Sequence, residues 1–317
     1  MQITNRMKSV KAFAPATVAN VCCGFDILGF AVDAPGDEVK VTLRNDSEIK
    51  IKEIIGDEGK LPYEVEKNTA SVAIISFLKK IESKQGVDIE LVKNLPLGSG
   101  MGSSAASGVA ALIAINHLMG NPLTRNQLVP HAMEAERIAC GAAHADNVAP
   151  SLLGGFVLVR DYDPLDVIKI EAVENLYCTL VHPHLELKTE DSRKVLRHSV
   201  TLKDAITQSG NIAGLMIGLL KPDYPLISRS LKDVIAEPMR SVFIPGFNNL
   251  RQIAMEAGAL GFGISGSGPT VFALSQSETK AQQIAEAIQV EFLRHKLNTD
   301  PYVSKVNQEG AKVLTVD

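Results

Sequence analysis

Residues 96 to 104 read Pro-Leu-Gly-Ser-Gly-Met-Gly-Ser-Ser, with a glycine at every second position from Gly98 to Gly102. Without Cβ atoms, Gly98, Gly100 and Gly102 let successive backbone N–H groups converge on an anion. Ser103 and Ser104 then open a small-residue helix, whose N-terminus adds free N–H donors and a partial positive charge. Together they predict a phosphate cradle. A flexible loop with a serine cap is the plainer reading, and it would suit two glycines better than this arrangement. Two familiar phosphate loops are excluded. A P-loop requires Lys after its last glycine, and Ser103 stands there. A Rossmann turn requires a third glycine at that position and an acidic residue about 20 positions on to hold a ribose. Residues 103 to 133 contain no acid at all.

Segment Pro96–Ala105 resembles the signature P-x-[GS]-x-G-[LM]-[GS]-S-S-[AG] of the GHMP kinases at nearly every position. That superfamily includes galactokinase, mevalonate kinase and homoserine kinase. Two further segments are similar to its other motifs and stand in the proper order: Lys11–Thr17 (KAFAPAT) and Gly261–Thr270 (GFGISGSGPT). Within the superfamily, Asn20–Gly29 (NVCCGFDILG) resembles the A-N-x-G-x-G-F-D-x-L-G run of the homoserine kinase family. Ala143–Pro150 (AHADNVAP) resembles its H-x-D-N-x-x-P segment, and Thr189–Arg193 and Glu237–Arg240 fit two more of its patterns. Cys22 departs from the pattern, standing where a glycine is usual.

The resemblance implies a two-domain α+β fold. It places a mixed α/β nucleotide-binding domain at residues 1–162 and a ferredoxin-like α+β domain at 163–317, completing the substrate site. It implies transfer of phosphate from ATP to the hydroxyl of L-homoserine, giving O-phospho-L-homoserine and ADP, a step of threonine biosynthesis. ATP is expected against Pro96, Leu97, Gly98, Ser99, Gly100, Met101, Gly102, Ser103, Ser104, Ala105 and Ala106. A magnesium ion bridging its phosphates is expected at Ser104 and Glu136. Asn68 and Thr69 are candidate neighbours of the nucleotide.

A zwitterionic acceptor needs an anion for its ammonium and cations for its carboxylate. Asp26 suits the first, with Asn20 beside it, and the forked guanidinium groups of Arg193 and Arg240 suit the second. His144 and Gly266 complete the expected substrate contacts. Singly, each has a plain structural reading: a turn aspartate, two solvated arginines, a satisfied histidine, an exposed helical glutamate. It is their joint match that carries the assignment. For the reaction itself His144, Arg193 and Asn147 are the catalytic candidates. Mevalonate-kinase-like members carry an aspartate eleven residues after the metal-binding glutamate. Here that position is Asn147, which cannot take a proton as a carboxylate can. Asp146 is adjacent, and one step along a chain usually turns the side chain elsewhere. Catalysis is therefore expected to rest on positioning and charge neutralisation, with the hydroxyl proton passing to the phosphate.

These residues need elements to hold them. Asp37–Leu43, Glu48–Ile54 and Val87–Lys93 alternate polar and apolar residues and read as strands. Asn68–Lys84 has helical apolar spacing, with Asn68 or Thr69 as its cap. The helix opened by Ser103 should run to about His117. Another should run from Thr124 to Ala139, kinked or broken at Pro130. A strand follows Gly154-Gly155, and Asp161–Asp166 is the expected boundary. The second half reads as strands near 166–172 and 176–182, then helices near 190–197, 201–220 and 247–257. A glycine cluster, strand Val271–Leu274, a helix over 278–294 and one or two terminal strands close the chain.

The 317 residues carry a net charge of −4, 45% hydrophobic and 21% charged residues, which supports a sizeable core and offers no basic footprint for nucleic acid. Cys22, Cys23, Cys140 and Cys178 form no C-x-x-C pair and encode neither a zinc ribbon nor a disulfide framework. The first residues lack the apolar stretch of a signal peptide, and no apolar run is long enough for a membrane span. The expectation is a cytoplasmic enzyme of small molecules, without nucleic-acid or membrane partners, with a homodimer as a candidate assembly. Three rivals are a mevalonate-type kinase, a non-catalytic metabolite sensor on the same fold and, more weakly, an NAD-linked dehydrogenase.

Overall fold

The computed structural model describes residues 9–141, 143–171, 173–185, 187 and 189–317, without the side chains of residues 139, 140 and 189–191. The leading residues 1–8, read above for a leader peptide, lie outside the described residues.

The first half builds a seven-stranded sheet. β1 (Ser9–Ala19), β2 (Leu28–Leu43), β4 (Val87–Val92) and β3 (Ile49–Ile55) lie side by side, with β11 (Lys312–Val316) outside β1. Long β2 serves two neighbours: Glu38–Leu43 pairs with β4, and Leu28–Phe30 pairs with β5 (Phe156–Tyr162). β6 (Leu165–Ile170) completes a hairpin with β5. Only β3 and β4 run parallel. On this sheet lie α1 (Thr69–Lys80), α2 (Ser103–Leu118), α3 (Arg125–Cys140) and α4 (Ala145–Leu153). α2 is apolar all round and nearly all its residues are buried, between β1 and β2 on one side and α1 and α3 on the other. Its small residues permit this: a Cβ on Gly108 would sit 3.0 Å from the Cβ of Ala135.

The second half is a four-stranded antiparallel sheet in the order β10 (Thr299–Lys305), β7 (Tyr177–Pro183), β9 (Val271–Ser275), β8 (Gly261–Ile264). α10 (Glu278–Arg294) joins β9 to β10. Between β7 and β8 run α5 (Thr189–Lys194), α6 (Leu202–Leu220), α7 (Tyr224–Ser230), α8 (Glu237–Arg240), a 3-10 turn (Ser241–Phe243) and α9 (Phe247–Glu256). The β-α-β-β-α-β order with that strand sequence is the ferredoxin-like arrangement. Phe247, Phe262, Ile284, Ile288 and Phe292 fill its core.

Caps fix the helix starts. The Asn68 side chain accepts from Ala70 N at α1, and Thr124 forms a capping box with Gln127 at α3. Of the kink or break expected at Pro130, the break does not occur, and α3 continues through it. Pro130 is exposed, and the carbonyl it leaves unpaired belongs to exposed Asn126, where water can serve. The β5–β6 turn falls where the sequence puts its boundary, while β6 and β11 both belong to the first sheet. The halves also share core: Leu215, Leu219 and Phe272 pack in the same cluster as Phe30 and Phe156.

Candidate active site

The phosphate loop is held in left-handed backbone, with φ of 65° at Gly98, 80° at Gly100 and 68° at Gly102. Two of these glycines are also steric requirements. A Cβ on Gly100 would lie 2.4 Å from Ser265 O and 2.7 Å from Gly268 O, and one on Gly102 would lie 2.1 Å from Thr17 Oγ1. The loop is clamped by the two other motifs. Ser265 Oγ donates to Gly100 O at 2.8 Å, Thr270 N to Ser99 O at 3.2 Å, and Thr17 N to Met101 O at 3.0 Å. Three segments far apart in sequence thus meet around one backbone turn at the N-terminus of α2.

A cavity of about 450 Å³ opens in front of that turn. Leu97, Gly98, Ser99, Gly100, Gly102, Ser103 and Ser104 line it, with Asn68 and Thr69 from the start of α1 and Glu136 from α3. Met101, Ala105 and Ala106 do not; they are fully buried beneath the loop and fix it by packing, and Pro96 also stands outside the lining. Asn20, Asp26, His144, Asp146, Asn147, Arg193, Arg240 and Gly266 line the same cavity. Every acceptor-site residue expected from the sequence is therefore in one space with the loop.

The acceptor end is preorganised. Asn20 and Asp26 both take left-handed backbone, with φ of 71° and 59°. Asn20 Nδ2 donates to Gly266 O at 2.8 Å, and its Oδ1 accepts from Asp26 N at 3.0 Å. Arg193 meets the Asp26 carboxylate with both forks, at 2.9 and 3.2 Å. Arg240 is buried, donating from Nε to Ser192 O at 3.2 Å and from Nη1 to Gly266 O at 3.1 Å, which leaves Nη2 for a ligand. His144 Nδ1 lies 3.8 Å from Asp26, while its buried Nε2 has no hydrogen-bond partner among the described residues. Burial lowers the pKa of His144, so it stands as a neutral imidazole near pH 7. Cys22 keeps the left-handed backbone, φ 58°, that favours the usual glycine, and its thiol sits where Gly263 leaves room.

Ser104 Oγ donates to Glu136 Oε1 at 2.5 Å, and Glu136 is buried. Glu134, on the other face of α3, pairs with exposed Arg137 at 3.0 Å. One carboxylate and one hydroxyl are hard oxygen donors that suit magnesium, which fills its remaining positions with phosphate and water. No cluster of three or more His, Cys, Asp or Glu side chains that could hold a metal is found among the described residues.

Asp146 behaves otherwise than its place beside Asn147 suggests. His144 stands at the N-cap position of α4 without a side-chain capping bond, so Asp146 and Asn147 both stand in its first turn, around which the cavity wraps. Burial and the charges of Asp26 and Glu136 push the Asp146 carboxyl up to about 7. Asn147 Oδ1 accepts from Thr17 Oγ1 at 2.8 Å, which leaves its amide N–H groups for a ligand. Two supporting residues escaped the sequence. Tyr162 OH donates to Asp26 O at 2.8 Å, and the Phe25 ring lies 5.0 Å from the Arg240 guanidinium and 5.9 Å from that of Arg193. Phe25 stands inside the quoted motif, which is the signal that could have found it; Tyr162 has none.

The family models for the N-terminal and C-terminal domains of GHMP kinases match residues 68–155 and 201–294. A homoserine kinase of Chlorobium phaeobacteroides is 52% identical over 97% of this chain and all of its own. The crystal structure of homoserine kinase from Cytophaga hutchinsonii is 54% identical, covers 99% of each chain and has a TM-score of 0.94. A galactokinase of Lactococcus lactis, 16% identical over 96% of this chain and 95% of its own, shares the fold at a TM-score of 0.63. Matched at this identity over nearly its whole length, the chain belongs to the homoserine kinase family of the GHMP kinases.

Proposed function

We propose that this chain transfers the γ-phosphoryl group of ATP to the side-chain hydroxyl of L-homoserine, giving O-phospho-L-homoserine and ADP for threonine biosynthesis. The observation that carries it is the pairing of Asp26 with Arg193, beside Arg240, in the cavity that also holds the phosphate loop. A carboxylate and two guanidinium groups match an amino acid's ammonium and carboxylate, and a mevalonate-type acceptor has no ammonium for Asp26. Arg240 Nη2 and the unpartnered His144 Nε2 supply further donors or acceptors for the acceptor. The loop's N–H groups and the N-terminus of α2 receive the phosphates. Ser104 and Glu136 would hold a magnesium ion, which neutralises phosphate charge when bound.

With the acceptor fixed at Asp26 and Arg240, its hydroxyl is directed toward the loop and Asn147 orients it. Holding both reactants in line removes much of the entropic barrier, and a loose transition state needs little activation of the nucleophile. The hydroxyl proton then passes to a phosphoryl oxygen. A second reading makes Asp146 the proton acceptor, favoured by its burial in this cavity and a pKa of about 7, near that ideal for a general base. We further place the enzyme in the cytoplasm, as a homodimer to be checked by sedimentation. Phosphorus NMR of a reaction with homoserine and ATP should show a new phosphomonoester alongside ADP. Inorganic phosphate as the only product besides ADP would overturn homoserine as the acceptor.

A further inference from the structure

Lys93, one residue beyond β4, and Asp37 of β2 form an ion pair whose side chains are 1% and 0% exposed. Lys93 Nζ donates to Asp37 Oδ2, to Ser103 O at 2.6 Å and to Ser107 Oγ at 3.0 Å. An ammonium has three donors, and all three are taken. Lys93 borders the cavity but has no proton left for a phosphate. Asp37 is equally committed. Its Oδ1 accepts from Asn94 N at 3.0 Å and Leu95 N at 3.1 Å, and its Oδ2 also accepts from Ser107 Oγ at 2.9 Å. Residues 93–95 precede the phosphate loop, and residues 103–107 follow it. Both flanks of the loop are therefore fastened to one buried pair.

Such a pair is costly to desolvate, and replacing one by apolar residues is often neutral or stabilising, so stability alone does not account for it. Burial pulls the Lys93 pKa down while Asp37 opposes this, and the pair is close to neutral overall, so it supplies geometry rather than charge. We propose that Asp37 and Lys93 are positioning residues that set the width of the phosphate loop, and hence its affinity for nucleotide phosphate. This deepens the kinase reading and rests on it only for the identity of the ligand as a nucleotide.

The test is calorimetric binding of ADP with magnesium and no acceptor, so it does not depend on which acceptor the enzyme uses. In the double variant Asp37→Asn with Lys93→Met, neither charge is left buried alone. It should melt within a few degrees of the parent yet bind ADP at least about tenfold more weakly, with the KM for homoserine changed much less. A folded double variant with parental ADP affinity would overturn the proposal. Should it fail to fold, Ser107→Ala removes the hydroxyl that bonds both members of the pair and leaves the other link to α2, from Lys93 Nζ to Ser103 O. Weaker ADP binding at an unchanged melting temperature supports the proposal, and parental binding in that variant overturns it.

Discussion

Asp26 and Arg193 face each other with two hydrogen bonds, so an amino acid entering the cavity must exchange with that pair, ammonium for guanidinium. Replacing Arg240 by Lys keeps the charge but loses the planar fork, whose Nε and Nη1 bond Ser192 O and Gly266 O while Nη2 is left for the ligand. The KM for homoserine should rise about ten- to a hundredfold, and that for ATP by much less; equal rises would remove Arg240 from the acceptor site. Asp146 permits a two-part test. Its raised pKa means the folded protein prefers it protonated, so its burial is tolerated below pH 4 and costs stability as pH rises through about 7. Asp146→Asn mimics the protonated form. It should match the parent's melting temperature near pH 4 and exceed it at pH 8, by at most about 4 kcal/mol of stability. Equal temperatures at both values would mean that Asp146 is solvated. If Asp146 is also the base, the same variant loses 10² to 10⁴ in kcat, whereas direct transfer to phosphate predicts a modest fall and a raised KM. Asn20, Asp26, Arg193 and Arg240 were legible because their chemistry is written within motifs, while Glu136 stands in none of them and was expected only from the family resemblance. Asp146's direction was not, because it depends on how the cavity wraps around the first turn of α4. Lys93 and Asp37 were not either, since only the pairing of β2 with β4 makes them neighbours.

At the scale of elements, Gly120 after α2 and Gly100 in the loop separate strain from contact. Gly120 has φ 83° and nothing within 4 Å of the place a Cβ would take, so Gly120→Ala should cost only about 1 kcal/mol for left-handed backbone. Gly100 has φ 80° and would also drive its Cβ into the carbonyls of Ser265 and Gly268. Gly100→Ala should lower the melting temperature by several degrees more than Gly120→Ala and weaken ATP binding, because it pries the third motif off the loop. Equal melting temperatures would contradict the packing of those two loops. The strongly patterned elements were legible: β4 from its alternation, α1 from its apolar spacing and Asn68 at its start, and α6 as the helix expected near 201–220. β8 was hidden in a glycine cluster, since Gly261–Ile264 is a fully buried strand with no alternation to betray it. α4, α7 and α8 are shorter than about three turns, too short for a helical period to stand out.

The site belongs to the whole molecule. Asn20 of the first half bonds Gly266 of the second, Gly100 bonds Ser265, and β11 returns from the chain's end to pair with β1. With Leu215, Leu219 and Phe272 in a common core with Phe30, the halves should unfold together. Calorimetry should show one transition, sharpened and raised by ATP with homoserine; two well-separated transitions would contradict the shared core. Neither this closure nor the return of β11 was legible from local pattern, because both depend on contacts between residues hundreds of positions apart. The central claim is that one cavity joins a phosphate donor to a zwitterionic acceptor. It is tested most directly by ADP release measured side by side with homoserine, mevalonate, serine and no acceptor. ADP release dependent on homoserine, with mevalonate at the background of the acceptor-free reaction, is the predicted result. Turnover of mevalonate at the same rate, or release indifferent to any acceptor, would contradict it.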